Sequence, residues 1–142
     1  MRGVMRLEGV VIRVITFLII LISSGTSSAE KSNIGIVTTY YAFDEIREFC
    51  RWKHHGSYPI VDTQFQEWKK QNKSILAAAF LELEKEAAND EVKAQKLPHM
   101  ETYLRNIWQD RYINMDAEIS GYLCFFKGQA FEFFQSMLNK EL

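Results

Sequence analysis

Apolar residues recur every three or four positions through most of the chain, which is the spacing of one face of an α-helix. No stretch alternates apolar and polar residues for long enough to build a β-sheet. The pattern therefore predicts an all-α fold, a small four-helix bundle. The predicted helices are Tyr40–His54, Gln64–Gln95, His99–Ile113 and Asp116–Leu142.

Turn and capping residues predict where these helices end. Lys53–Val61 contains Gly56 and a proline, so we expect a loop there. The residue before Pro98 is expected to end the second helix, because a residue that precedes proline avoids helical dihedral angles. Asn89–Asp90 is a second point at which that helix can break and restart. Asp116 is the predicted cap of the fourth helix.

The N-terminal segment, Met1–Ala29, has the three-part pattern of a secretory signal peptide. A basic leader precedes the apolar run Val14–Ile22, and small polar residues follow that run up to Ala29. The run has about nine residues, whereas a helix needs about 20 to cross a bilayer. We expect cleavage after Ala29 and a mature chain that does not span the membrane; an uncleaved anchor is the alternative.

Cleavage would leave 113 of the 142 residues, enough for one core. We expect Glu30–Thr39 to be an extended lead-in and Tyr40–Leu142 to be a single helical domain. The mature chain would carry 14 basic and 17 acidic residues, a net charge of −3. Without a basic excess or a Lys/Arg run, nucleic acid is excluded as the expected partner. The expected location is the periplasm or the extracellular space.

The two cysteines, Cys50 and Cys124, allow one intramolecular pairing, and an oxidising compartment would make that disulfide persistent. On the predicted fourth helix, Cys124 shares a face with Ala117, Gly121 and Gly128. This face has little side-chain bulk, so we predict that it docks closely on the first helix. The disulfide would then fix the contact. Two unpaired buried thiols are the alternative.

Recognisable catalytic motifs are absent from the sequence. It contains no GxSxG, HExxH, CxxC or glycine-rich phosphate loop, and no Cys-x-x-Cys-His haem motif. No histidine follows a glutamate by three positions, as the helices of di-iron bundles require. A disulfide would also abolish a cysteine nucleophile. We therefore expect no catalytic activity, no metal site and no cofactor.

Aromatic residues are abundant: the expected mature chain keeps 18 of the 19 Phe, Trp and Tyr residues, about one in six. A bundle of this size has difficulty burying so many rings, and exposed aromatic residues mark protein-binding surfaces. The alternative is that they pack between helices. Those expected to be partly exposed are Tyr40, Tyr41, Trp52, Tyr58, Tyr112 and Phe125. The candidate partner-binding residues, in the segment Trp52–Asp62, are Trp52, His54, His55 and Tyr58.

The overall plan resembles that of the small helical immunity and inhibitor proteins of bacterial envelopes. These proteins have a cleavable signal, about a hundred mature residues, few cysteines and no catalytic apparatus. The likeness is one of plan, without matching motif residues. It implies a protein-binding function of the inhibitor, immunity or adaptor type, with another envelope or secreted protein as partner. The alternative is a carrier of an apolar small molecule or haem, bound in the bundle core between the second and fourth helices.

Overall fold

The computed structural model describes residues 32–142, so the predicted signal peptide, Met1–Ala29, lies outside the described residues. Within 32–142 the chain is almost entirely helical and contains no β-strand, which confirms the all-α fold class. The helices of this part are α1 (32–53), a 3₁₀ helix (His55–Ser57), α2 (Tyr58–Gln71), α3 (Lys73–Ala88), α4 (Glu91–Ile113), α5 (Ala117–Phe125) and α6 (Gln129–Glu141).

The first helix includes the segment that was expected to be extended. Residues 32–39 are helical, so the predicted lead-in over Glu30–Thr39 is wrong where the structure describes it. Ile36 and Val37 of this segment are buried in the core. Tertiary packing of an apolar face, rather than intrinsic propensity, supplies most helical stability in proteins. The burial of these two side chains therefore outweighs their modest helix propensity.

The predicted loop over Lys53–Val61 is instead a 3₁₀ helix that leads directly into α2. Pro59 stands at the second position of α2, where its missing N–H removes no helical hydrogen bond. Ser57 is buried, and its hydroxyl donates to the carbonyl oxygen of His54 at 2.7 Å. The glycine and the proline of this segment thus mark the start of a helix rather than a loop.

The predicted second helix is interrupted twice. Asn72 separates α2 from α3, and its buried side chain donates to the Trp68 carbonyl at 2.9 Å and to Gln135 Oε1 of α6 at 2.8 Å. The expected break at Asn89–Asp90 occurs and separates α3 from α4. Asp90 caps α4 by accepting hydrogen bonds from two backbone N–H groups. The sequence thus predicts the break before α4 but not the break at Asn72.

Pro98 lies inside α4, so the predicted end of a helix before this residue is wrong. An interior proline leaves the carbonyl four residues earlier, that of Ala94, without its helical donor. Ala94 and Pro98 are both exposed, so water can satisfy that carbonyl. Pro98 therefore does not end α4. The helix starts at its Asp90 cap and packs along α3.

The predicted fourth helix divides into α5 and α6. Asp116 caps α5 as predicted, accepting from the backbone N–H of Glu118 at 2.8 Å. The division comes at Gly128, which has a φ of 90° in the left-handed region. This region is open to glycine but strained for residues with a Cβ atom. The prediction of one continuous helix over Asp116–Leu142 is therefore wrong.

The small-residue face also behaves differently from the prediction. Ala117 is exposed, and a Cβ atom built on Gly121 would meet nothing within 4 Å. The buried side of α5 is formed instead by Ser120, Leu123 and Cys124. The prediction that the small residues dock closely on the first helix is therefore wrong. Of the four residues of the predicted face, only Cys124 is buried.

The centre of the core is aromatic. Phe43 of α1 stacks on Phe134 of α6 with 4.3 Å between ring centroids. Its edge-to-face contacts with Phe65 and Trp68 of α2 have centroid distances of 5.2 and 5.3 Å. All four side chains are almost completely buried. Such ring pairs contribute about 0.5–1.5 kcal/mol each beyond their buried area, so α1, α2 and α6 are held together at this point.

A network of charged side chains joins α4 to α1. Arg105 Nη1 donates to Asp44 at 2.8 Å and to Glu45 at 2.6 Å, and Gln109 Nε2 donates to the second oxygen of Glu45 at 2.9 Å. Burial lowers the pKa of Arg105, but its hydrogen bonds to Glu45, Glu101 and Asp44 outweigh burial, and the net shift is upward. The arginine therefore stays charged and pairs with two carboxylates that are themselves buried.

Candidate functional site

The predicted disulfide between Cys50 and Cys124 is confirmed. The two Cα atoms lie 5.7 Å apart across a sequence separation of 74 residues. Cys50 is in the last turn of α1, and both cysteines are fully buried. The bond therefore attaches the C-terminal end of α1 to α5, and it fixes the position of the side chains that surround these two helix segments.

A chain of ring contacts starts beside the disulfide. The imidazole of His54 lies 5.1 Å from the ring of Phe125 and 6.2 Å from that of Phe49, between centroids. Phe49 in turn contacts Trp52, with 6.3 Å between centroids. Trp52 is 65% exposed and Phe125 is 50% exposed, so this chain of rings reaches solvent at both ends.

Further apolar side chains are exposed on α5 and directly after it. Ile119 and Tyr122 lie three positions apart on one face of α5, and Phe126 follows the last residue of the helix. Each of the three is about half exposed. The rings of Tyr122 and Phe126 are in contact, with 5.1 Å between centroids. We refer to Trp52, Ile119, Tyr122, Phe125 and Phe126 as the aromatic surface.

The other two candidate residues have different surroundings. His55 begins the 3₁₀ helix and is exposed, whereas Tyr58 is the first residue of α2 and is partly buried. The guanidinium of Arg51 lies 5.9 Å from the Tyr58 ring centroid. Tyr58 therefore packs beneath an arginine side chain of α1 instead of extending the exposed rings around Trp52.

The expectation of partial exposure is wrong for Tyr41 and Tyr112, which are buried. It is correct for the other four rings, since Trp52 and Phe125 are exposed and Tyr40 and Tyr58 are partly buried. The hydroxyl of Tyr112 donates to the carbonyl oxygen of Ala42 at 2.6 Å, which gives the buried phenol a partner. The other exposed rings of the aromatic surface were not among the expected ones. The sequence feature that could have indicated their exposure is the number of large apolar side chains on the predicted fourth helix, which is greater than one buried face can accommodate.

A shallow depression of about 210 Å³ adjoins Trp52. Its walls combine aromatic and aliphatic side chains with the carboxylates of Glu45 and Glu48. Both carboxylates are already paired, Glu45 with Arg105 and Glu48 with two arginines of its own helix. The complete lining is Glu45, Glu48, Phe49, Trp52, Gln109, Tyr112 and Ile113.

A larger open cleft of about 500 Å³ lies between α2 and the turn that joins α5 to α6. It corresponds to the space between the predicted second and fourth helices. Its walls are mixed: apolar side chains alternate with amides, carboxylates and one lysine. The lining consists of Pro59, Ile60, Thr63, Gln64, Glu67, Gln71, Lys127, Gly128, Phe131 and Glu132.

Within residues 32–142, no three His, Cys, Asp or Glu side chains are grouped so that they could hold a metal ion. In the same part of the chain, no helix is both long and apolar enough to cross a membrane. Comparisons with protein-family models, curated proteins and solved structures give no match to this chain. Its function must therefore be argued from the surfaces described above.

Proposed function

We propose that the protein binds another exported protein through the aromatic surface, as an inhibitor, immunity or adaptor protein without catalytic activity. The observation that carries this proposal is the exposure of large apolar side chains on α5 and at the end of α1. Neighbouring exposed apolar side chains mark interaction sites, and tryptophan and tyrosine are enriched among the residues that dominate binding energy.

The disulfide supports the proposal because it holds the two parts of the aromatic surface together. Trp52 follows Cys50 by two residues, and Phe125 directly follows Cys124. Side chains that are held in place before binding lose less conformational entropy when a partner docks. The ring contacts of His54 with Phe49 and Phe125 add to this rigidity.

Export is part of the proposal. It is supported by the signal-peptide pattern of Met1–Ala29 and by the disulfide, since such bonds persist in the periplasm and outside the cell but are rare in reducing compartments. The alternative of a carrier with its ligand in the bundle core has less support. Packed rings of Phe43, Phe65 and Phe134 occupy the centre of that core.

The test is affinity capture of partners from a non-reducing envelope and culture-fluid extract, read by mass spectrometry. We expect one stoichiometric partner. The variants Trp52→Ala and Phe125→Ala should each bind this partner about 30-fold more weakly, because a residue that dominates binding contributes about 2 kcal/mol to the binding free energy. Tyr103→Ala is the matched control, because Tyr103 of α4 is 65% exposed, like Trp52, and lies outside the aromatic surface.

Circular dichroism and thermal melting accompany each variant. A partner that is lost from Trp52→Ala while helicity and melting temperature stay unchanged supports the proposal. A partner that binds all three variants equally well contradicts it, as does a loss of binding that parallels a loss of helicity.

A further inference from the structure

Two exposed lysines border the aromatic surface. Lys53 directly follows Trp52, and its Nζ atom lies 5.6 Å from the centroid of a Trp52 ring. Lys127 directly follows Phe126. Neither lysine has a carboxylate partner among the described residues. The edge of the aromatic surface therefore carries two positive charges that no described side chain neutralises.

The fold brings these two lysines to the same part of the molecule. The disulfide attaches the end of α1 to α5, and the rings of His54 and Phe125 are in contact, with 5.1 Å between centroids. Lys53 directly precedes His54, and Lys127 follows Phe125 by two residues. Lysine side chains are long and flexible, so a partner that covers these rings is within reach of both ammonium groups.

The acidic side chains around this edge are either paired or at the far end of α5. Glu48 forms ion pairs with both Arg47 and Arg51, so one carboxylate faces two guanidinium groups. Asp116 and Glu118 are exposed, but they lie at the start of α5, whereas the disulfide is near its end. The aromatic surface thus carries positive charge at its disulfide end and negative charge at the start of α5.

The depression beside Trp52 indicates what else the partner carries. Its volume is about 210 Å³, and Phe49, Trp52 and Ile113 form its apolar walls. The two carboxylates of its lining, Glu45 and Glu48, already face arginines and require no cation from a ligand. The depression has room for one large apolar side chain, and the residues that dominate binding energy fill pockets of this kind.

We propose that the partner segment that docks on the aromatic surface is acidic. Its carboxylates lie against Lys53 and Lys127, and a neighbouring apolar side chain enters the depression beside Trp52. The acidic character of the partner presupposes the proposed function, because it describes what docks on that same surface.

An anionic membrane fits this surface less well than an acidic protein segment does. Such membranes are recognised by clusters of about four to eight lysines and arginines. The aromatic surface is bordered by two unneutralised lysines among the described residues, and the expected mature chain, with 14 basic and 17 acidic residues, is acidic overall.

The probe is the peptide acetyl-Glu-Leu-Glu-Phe-amide, with acetyl-Lys-Leu-Lys-Phe-amide as its charge-reversed control. Binding is followed in the ¹⁵N-labelled, disulfide-bonded mature protein through the indole N–H of Trp52 and the backbone amides of Phe126 and Lys127. We expect saturable chemical-shift changes at these three groups with the glutamate peptide, weakening as salt is added, because salt screens exposed charges. The lysine peptide should give no saturable changes.

Variants of the two lysines test the charge directly. Lys53→Gln/Lys127→Gln is expected to weaken the glutamate peptide about fivefold, as the loss of two solvent-exposed ion pairs would do. Lys96→Gln/Lys140→Gln is the matched control, because it removes the same charge from exposed lysines of α4 and α6. Lys140 is at the end of α6, which lies against the start of α1, whereas Trp52 is at the other end of α1.

Trp52→Ala separates the chemistry of the partner from the location of its site. Equal binding of both peptides that is lost in Trp52→Ala would keep the aromatic surface as the binding site but overturn the acidic partner. Equal affinity of the two double variants would also overturn it, as would the absence of saturable changes up to about 10 mM glutamate peptide. The titration needs no captured partner, so a failed capture experiment leaves this test intact.

Two further measurements distinguish the occupants of the surface. A captured partner whose binding is the same at high salt and in Lys53→Gln/Lys127→Gln would support the proposed function and overturn the acidic partner. Sedimentation with vesicles of equimolar phosphatidylcholine and phosphatidylglycerol tests the membrane. Binding to these vesicles but not to phosphatidylcholine alone, without binding of the glutamate peptide, would make an anionic membrane the occupant instead.

Discussion

At the scale of single residues, Tyr112 shows how contacts with another helix decide whether a side chain is exposed or buried. The sequence suggested an exposed ring, but Tyr112 is buried, stacks on Trp108 and donates its hydroxyl to Ala42 of α1. Burial, with a smaller contribution from Glu45, raises the pKa of the Tyr112 phenol well above its ordinary value. The folded protein therefore holds this proton more tightly than the unfolded chain does.

The sign of the pH effect follows from this pKa. Above about pH 10 the unfolded chain releases the phenol proton while the folded chain keeps it, so the free energy of unfolding falls as pH rises. We expect Tyr112→Phe to lower that free energy by about 1 kcal/mol at neutral pH, through the lost hydrogen bond. The variant should also lose stability less steeply above about pH 10.

Urea unfolding between about pH 7 and pH 11 measures both effects. Tyr103→Phe serves as the control, since Tyr103 is exposed and the loss of its hydroxyl should leave the free energy of unfolding at neutral pH unchanged. Parallel pH profiles for the wild type and Tyr112→Phe would contradict the prediction.

At the scale of helices, the cap of α5 was predictable, whereas breaks inside apolar stretches were not. Asp116 caps α5 as its sequence position indicated. The break at Asn72 depends on Gln135, which lies 63 residues further along the chain. The turn between α5 and α6 depends on Gly128, whose φ of 90° places it in the left-handed region.

Two glycines of the predicted small face should respond oppositely to the same substitution. Gly128→Ala is expected to lower the free energy of unfolding by about 1–2 kcal/mol, because alanine is strained at a positive φ. Gly121→Ala is expected to raise it by about 0.5–1 kcal/mol, because Gly121 is inside a helix and its Cβ would meet open space.

Urea unfolding of the two variants under identical conditions checks this pair. Destabilisation by Gly121→Ala would mean that α5 packs closely against another helix through its small residues. A neutral effect of Gly128→Ala would mean that the turn between α5 and α6 does not need a glycine.

At the scale of the whole molecule, the disulfide joins parts of the chain that are far apart in sequence. It closes a loop with a separation of 74 residues. The chain-entropy description of the unfolded state gives such a bond a stabilisation of up to about 4 kcal/mol. It also connects the two helix ends that carry the aromatic surface, so the proposed partner binding would depend on the same bond as the stability of the fold.

Reduction of the bond is therefore expected to lower the melting temperature and to weaken partner binding. Thermal melting monitored by circular dichroism measures the first effect, with reduction verified by mass spectrometry. Cys50→Ala/Cys124→Ala, which cannot form the bond in any redox state, should melt below the oxidised protein. An unchanged melting temperature after verified reduction would show that the disulfide adds no stability to the fold.

The sequence by itself determined the helical class, the cap at Asp116 and the Cys50–Cys124 pairing. Each depends on local spacing or on elimination: periodicity defines a helical face, a side chain caps its own helix, and two cysteines allow one intramolecular bond. The exposure of Trp52 and Phe125 was also predicted.

Only the tertiary structure decided which other rings are buried, where the long helices break and where the cleft lies. The buried Tyr112 donates to the carbonyl of Ala42 on α1, and Gln64 accepts from a backbone N–H of α6. These contacts join residues more than 60 positions apart. Periodicity reports the face on which a side chain lies, but its burial depends on the neighbouring helix, which local sequence does not specify.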